Sequence, residues 1–159
     1  MKNPHTYKAQ LIWDGNLGEG TSSYSGYGRQ YRVLIDGKPD LHGTADPMFR
    51  GEAEKHNPED LFLAAVSSCH MLSYLALCAR ASINVVEYRD DASGDLVFDN
   101  KGGGRFEEIR LRPTVTVADE KDADRAQTLH EKAHELCFIA NSCSVPIHHE
   151  AVIHVEGEA

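Results

Sequence analysis

Positive charge is scarce in this chain and nowhere concentrated: 16 Lys and Arg stand against 25 Asp and Glu, a formal net charge of −9. A field of that sign repels phosphate, so no nucleic acid and no membrane surface is expected among its partners. The N-terminal stretch MKNPHTYKAQLIW lacks an apolar run of signal-peptide length, and no small-residue cleavage site follows it. The longest apolar run, residues 61–79, approaches spanning length. Ser67, Ser68, Cys69, His70 and Ser73 interrupt it and Arg80 ends it, as in a core helix. These absences predict a soluble, cytoplasmic protein. No repeat, low-complexity tract or linker is present, so residues 1–159 are expected to form one α+β domain.

Cysteine is sparse too, with Cys69, Cys78, Cys137 and Cys143 the whole complement. A secreted mini-protein uses four cysteines as a disulfide framework. In a larger chain in a reducing compartment they serve thiol chemistry or metal binding, or act as small core residues.

The periodic segments give the outline of a fold. Residues 6–13 and 29–36 read as strands, with a glycine-rich turn at 15–20 and a short strand at 21–27 between them. Asp36-Gly37-Lys38-Pro39 is a turn signal, and 40–56 read as irregular. Asn57-Pro58-Glu59-Asp60 then combines an N-cap, a proline at the first helical position and two carboxylates in the first turn. The helix it opens is expected to reach about Ala81, and its apolar residues, spread nearly all round, predict burial on several sides. Residues 83–99 and 105–118 read as strands joined by a loop at 99–104. A second helix follows to about Phe138, and a last strand covers 145–155.

Cys69 falls deep inside the first helix, beyond reach of the helix dipole, so any activation of its thiol must come from a cation or donor elsewhere in the fold. Cys78 follows half a revolution round and about 13 Å along the axis, so the two cannot form a disulfide. Cys78 reads as a small core residue. Cys137 and Cys143 stand at the end of the second helix and just after it, and either could meet Cys69 if the helices pack side by side.

Two motifs resemble those of a known family. Asn57-Pro58-Glu59, with Cys69 ten residues after Glu59, resembles the helix opening of the osmotically inducible protein C and organic hydroperoxide resistance (OsmC/Ohr) family. Residues 133–142 resemble its second cysteine motif, with Asn141 four residues beyond Cys137. The order of elements agrees along essentially the whole chain. The resemblance implies an OsmC-like α+β fold, with antiparallel sheets wrapped around long central helices of an intertwined homodimer. It implies that Cys69 is the thiol attacking a hydroperoxide and that Cys137 resolves the product to a disulfide. An external dithiol, such as a lipoylated protein, then reduces that bond, and no metal or organic cofactor takes part. Glu59 matches the carboxylate that positions an activating arginine in that family. The early turn Asn16-Leu17-Gly18-Glu19-Gly20, where the hydroperoxide-resistance branch carries its arginine, has none. Arg50, in Phe49-Arg50-Gly51, is the favoured replacement and Arg29 the other candidate. Glu59 and Cys69 lie about 15 Å apart along one helix, so residues of both chains are expected around each Cys69.

A rival reading rests on His130-Glu131-Lys132-Ala133-His134, an H-E-x-x-H pattern that sets two imidazoles on one helical face, with Cys137 nearly in line and His148, His149 and His154 following. It makes the chain a non-enzymatic metal-binding or thiol-sensing stress protein using His130, His134 and Cys137. The reading preferred here leaves His130 and His134 as polar positions on an amphipathic helix. His70 diverges from Cys69 by about 100° and is not expected to pair with it. Phe62, Met71 and Phe138 are candidates either for the core or for a pocket that takes an alkyl chain.

Overall fold

The structure, a computed structural model, describes residues 4–157, so the first three residues of the N-terminal stretch lie outside it. The chain divides into two compact units, residues 1–62 and 63–159.

The first unit is built on an antiparallel sheet of β1 (Gln10–Trp13), β2 (Tyr31–Leu34) and β3 (Leu41–Gly43), in that order. Leu11 pairs with Val33, and Tyr31 with Gly43. The short strand expected at 21–27 is instead a run of turns. A pinch at the base of this loop explains it: the Trp13 indole N–H donates to Gly28 O at 2.8 Å, and Gly28 N–H donates to Gly15 O at 2.8 Å. The backbones approach so closely that a Cβ on Gly15 would lie 1.8 Å from Gly28 O. The stretch expected to be irregular holds β3 and a 3-10 turn at Pro47–Phe49, capped by Asp46, whose Oδ1 accepts Met48 N–H at 2.7 Å. Arg50 follows in the left-handed region at φ 69°.

The long helix α1 (Pro58–Arg80) starts where its cap predicts. Asn57 Oδ1 accepts Asp60 N–H at 2.8 Å, and Asp60 Oδ2 accepts Asn57 N–H at 3.3 Å, a reciprocal cap with Asp in the place usually held by Glu. The helix begins in the first unit and continues into the second.

The second unit adds β4 (Val85–Asp90), β5 (Ser93–Phe98), β6 (Gly104–Leu111), β7 (Pro113–Val117), α2 (Ala123–Leu136), β8 (Ile147–His149) and β9 (Val152–Val155). Each of the three long strands read from the sequence is thus broken in the middle, and the halves enter different sheets, ordered β4-β7-β9 and β5-β6-β8. One break is chemical: Pro113 brings no N–H to continue the ladder after Leu111. Asp90 Oδ1 holds the corner by accepting Arg112 N–H at 2.7 Å. The pairs β4–β7 and β5–β6 are antiparallel, whereas β6–β8 and β7–β9 are parallel.

Strand β7 alternates as a half-buried strand should, with Val115 and Val117 in the core beside Tyr74 and Cys78 of α1 and Ala126 and Ala133 of α2. Cys78 is therefore the core residue its sequence context predicts. Helix α1 is long and apolar enough to cross a membrane by length and composition. Its buried residues are Val66, His70, Tyr74 and Cys78, a single stripe at every fourth position that makes it the core helix of this unit. The expected burial on several sides is not met within the chain: Leu72, on another face, is 63% exposed.

Candidate thiol site

All four cysteines are free, and they occupy different environments: Cys69 and Cys143 are half-buried, Cys78 and Cys137 buried. Cys69 sits beside the buried stripe of α1, at the edge of what the fold covers. Cys137 caps the C-terminus of α2, where its N–H donates to His134 O at 3.2 Å and its backbone leaves the helical region at ψ 111°. The chain then folds back on itself. Asn141 N–H donates to Cys137 O at 3.0 Å, and its side-chain amide donates to Glu135 O at 2.9 Å, supplying carbonyls that the helix end leaves without partners. This is the physical reason for an Asn four residues beyond the Cys.

That fold-back leaves the Cys137 sulfur, 1% exposed, beside Cys69. Burial first, and the neighbouring Cys69 second, push the Cys137 thiol up to about 11, with Ala140 N–H, 3.4 Å from the sulfur, pulling the other way. Cys137 therefore keeps its proton at neutral pH. The Cys143 thiol donates instead to Ala140 O at 3.6 Å, and among the described residues it makes no hydrogen bond to Cys69. Either cysteine was open from the sequence; packing brings Cys137 to Cys69.

Cys69 faces a groove of about 650 Å³ between α1 and the segment after α2, lined by Ala65, Leu72, Ala76, Leu136, Phe138 and Ile139 among others. The size suits a small-molecule ligand, and the walls are predominantly apolar. Phe138, 80% exposed, stands at its rim; Met71 is not part of the lining.

The groups proposed to activate the thiol belong to the first unit. Arg29 is occupied: it donates to Tyr27 O and, at 2.7 Å, to Tyr24 O, and its guanidinium lies 4.5 Å from the Tyr24 ring and 3.9 Å from the Tyr27 ring. Arg50 is exposed and has no side-chain hydrogen bond or ion pair among the described residues, Glu59 included. Glu59 is half-buried, and its charge adds to burial in raising the Tyr31 hydroxyl above its ordinary value.

The histidines are where sequence reasoning failed. His130 is not a surface position but 0% exposed, its Nδ1 3.0 Å from Nε2 of the equally buried His70. The two rings lie parallel, 5.3 Å apart, and His130 stacks on Tyr74 at 3.8 Å. His149 lies 5.5 Å from the His70 ring and meets Glu131 at 3.3 Å. Burial depresses both inner imidazoles, His70 to about 4 and His130 to about 3. Both are thus neutral, and His70 Nδ1 and His130 Nε2 have no partner. The signal was available: His70 shares the buried spacing of Val66, Tyr74 and Cys78, and His130 that of Ala126, Ala133 and Cys137. His70 turns away from Cys69, as adjacent helical positions require. His130, His134 and Cys137 are not gathered into a ligand set; among the described residues no three His, Cys, Asp or Glu side chains could hold a metal ion.

A buried thiol beside a half-buried one, at the wall of an apolar groove between two helices, defines an α+β protein built around a cysteine pair. The chain belongs to the OsmC-like protein family, whose model matches residues 51–151, a stretch that includes parts of both units. A solved OsmC-like protein of unknown function from Vibrio cholerae, VCA0330, is 28% identical, with a TM-score of 0.83 over 94% of this chain and 100% of that one. The uncharacterized protein YmaD of Bacillus subtilis is 26% identical over 113 residues, 68% of this chain and 75% of YmaD. An organic hydroperoxide resistance protein from Elizabethkingia anophelis, 22% identical, shares the fold with a TM-score of 0.70 over 98% of this chain and all of its own.

Proposed function

We propose that this chain is a cysteine-based thiol peroxidase of the cytoplasm that reduces organic hydroperoxides in preference to hydrogen peroxide. One observation carries the reading: Cys69, in the wall of an apolar groove, stands beside the buried Cys137. The Cys69 thiolate attacks the terminal oxygen of the hydroperoxide, the O–O bond breaks, and the leaving alkoxide takes a proton to depart as alcohol. Cys69 becomes a sulfenic acid. The sulfur of Cys137 then displaces the sulfenic hydroxyl, which leaves as water with the Cys137 proton, and a Cys69–Cys137 disulfide forms. A small external dithiol, or one carried on a lipoylated protein, restores both thiols by exchange. The separate placement of the two sulfurs supports this division of labour, since the half-buried one meets substrate and the buried, protonated one waits for the sulfenic acid.

Arg50 is the activating cation in this scheme. Among the described residues it has no side-chain hydrogen bond or ion pair to hold it elsewhere, whereas Arg29 is clamped between two tyrosines. Glu59 positions it. The working form is a homodimer in which residues of both chains complete each site, a reading supported by the apolar side chains that α1 and its surroundings leave exposed, Leu72, Leu136 and Phe138 among them.

Peroxide oxidation of purified protein followed by disulfide mapping tests the chemistry: the expected product is a Cys69–Cys137 bond. An unreactive Cys69, or a bond from Cys69 to Cys143, contradicts it. Sedimentation of the same sample tests the assembly, and a monomer with full peroxidase activity is incompatible with a shared site.

A further inference from the structure

The fold-back after α2 does more to the Cys137 sulfur than bury it. Cys137 closes the C-terminus of its helix, where carbonyl ends gather partial negative charge and an anion is ordinarily disfavoured. The residues that follow reverse this locally. His134 O accepts Cys137 N–H at 3.2 Å, Glu135 O accepts the Asn141 side-chain amide at 2.9 Å, and Cys137 O accepts Asn141 N–H at 3.0 Å. Ala140 N–H is directed at the sulfur itself from 3.4 Å, and Ile139 N–H favours its charged form in the same sense. Among the described residues Ala140 N–H has no other partner. Two successive backbone N–H groups turned on one sulfur make a small anion-binding nest.

The reducing half of the proposed cycle needs such a nest. A thiolate attacks a disulfide in line, from the side opposite the sulfur that leaves, and access decides which sulfur it reaches. Cys137 is 1% exposed, whereas Cys69 is half-buried and lies in the groove wall. The side of Cys69 opposite Cys137 is also where the sulfenic hydroxyl stands before Cys137 displaces it. Leaving-group acidity alone argues the other way, since burial pushes the Cys137 thiol up to about 11 and a weakly acidic thiol leaves slowly. Access wins, because a buried sulfur offers a nucleophile no approach. The nest offsets the penalty on departure.

We infer that the reducing dithiol attacks Cys69, and that the N–H groups of Ile139 and Ala140 form a thiolate hole that receives the negative charge on Cys137 as the disulfide opens. The attacking thiolate bonds to Cys69, the S–S bond breaks, and its electron pair goes to Cys137. The second thiol of the reagent gives its proton to Cys137, which returns to the buried thiol. That second sulfur then attacks its neighbour in the mixed disulfide and expels Cys69 as a thiolate. The reagent departs as a cyclic disulfide, one dithiol oxidised for each protein disulfide reduced. The two N–H groups act on the reacting atom as an oxyanion hole acts on oxygen. The inference rests on the peroxidase reading for the origin of the disulfide, but the bond can also be closed without a peroxide.

Diamide, which joins thiols without a hydroperoxide, closes the Cys69–Cys137 bond in the full-length protein for the test. A brief pulse of 2-mercaptoethanol, an acid quench and mass spectrometry of the peptides then locate the first adduct. It is expected on Cys69 with Cys137 free; an adduct on Cys137 overturns the inference. The second arm replaces Ala140 by lactic acid, which keeps the side chain and puts an ester oxygen where the N–H faced the sulfur. Two rates are read in each protein: reduction of the closed bond by dithiothreitol, and alkylation of Cys69 by iodoacetamide in the reduced form. Their ratio cancels general damage. It is expected to fall about tenfold with the ester, the scale of one hydrogen bond to a charged group, and an unchanged ratio removes the hole. Both expected results in a protein that consumes no hydroperoxide sustain the inference, and the peroxidase reading then fails alone.

Discussion

Replacing Cys69 by Ser is expected to lower the rate of organic hydroperoxide consumption by about three orders of magnitude or more, because a serine hydroxyl at its ordinary pKa cannot replace the thiolate as nucleophile. Replacing Cys137 by Ser has a different signature. The first turnover survives, a sulfenic acid accumulates at Cys69, and continued peroxide drives it on to the sulfinic form that dithiols do not restore. Steady-state turnover is therefore lost while one equivalent of peroxide is still consumed rapidly. Stopped-flow measurement of that burst, with mass spectrometry of the oxidised cysteine, separates the two variants. A Cys69→Ser protein that retains its activity, or a Cys137→Ser protein that shows no burst, removes the proposed division of roles. Cys143→Ser is the internal control, since its thiol is turned toward Ala140 O.

The unequal placement of these sulfurs was partly legible in the chain. The cap Asn57 to Asp60 marks the start of α1 because capping is local, decided by hydrogen bonds between residues three apart. The order of strands and helices was legible for the same reason. The corners that divide each long strand between two sheets were not, because a side-chain bond such as Asp90 to Arg112 N–H joins residues far apart in sequence. The choice between Cys137 and Cys143 was legible only through the motif resemblance, not from spacing. It depends on Asn141 folding the chain back against the end of α2, which puts one sulfur inside and leaves the other half-covered. The histidines mislead in an instructive way. Composition marks His130 as a surface residue, yet its position on the buried stripe of α2, opposite His70 on that of α1, outweighs its polarity once the two imidazoles can bond to each other.

That buried pair makes stability depend on acid. In the unfolded chain both imidazoles titrate near 6.5, whereas in the fold burial holds His70 to about 4 and His130 to about 3. Between those values the unfolded chain binds more protons than the folded one, so stability is complete above about pH 6.5 and falls as the pH drops toward 4. Each pKa unit is worth about 1.4 kcal/mol, so the first proton alone costs roughly 3 kcal/mol, a large share of the 5–15 kcal/mol typical of a domain. The second proton meets a positive charge 3.0 Å away across the pair, with His149 and His134 adding to the repulsion on His70. The expected result is a urea midpoint that falls steeply between pH 6.5 and 4.5. In the double variant His70→Leu, His130→Leu, which removes both polar partners together, that fall is reduced, while His130→Leu alone costs about 1–3 kcal/mol at pH 7 by leaving His70 Nε2 unpaired. A wild-type midpoint flat across the window, or a double variant with the full decline, assigns the acid sensitivity elsewhere. The consequence reaches the thiols, because His70 adjoins Cys69 on α1 and His130 lies two turns before Cys137 on α2. The bond between the imidazoles ties together the two helices that carry the sulfurs proposed to react, so disulfide formation is expected to slow over the same pH range in which the pair takes up its first proton.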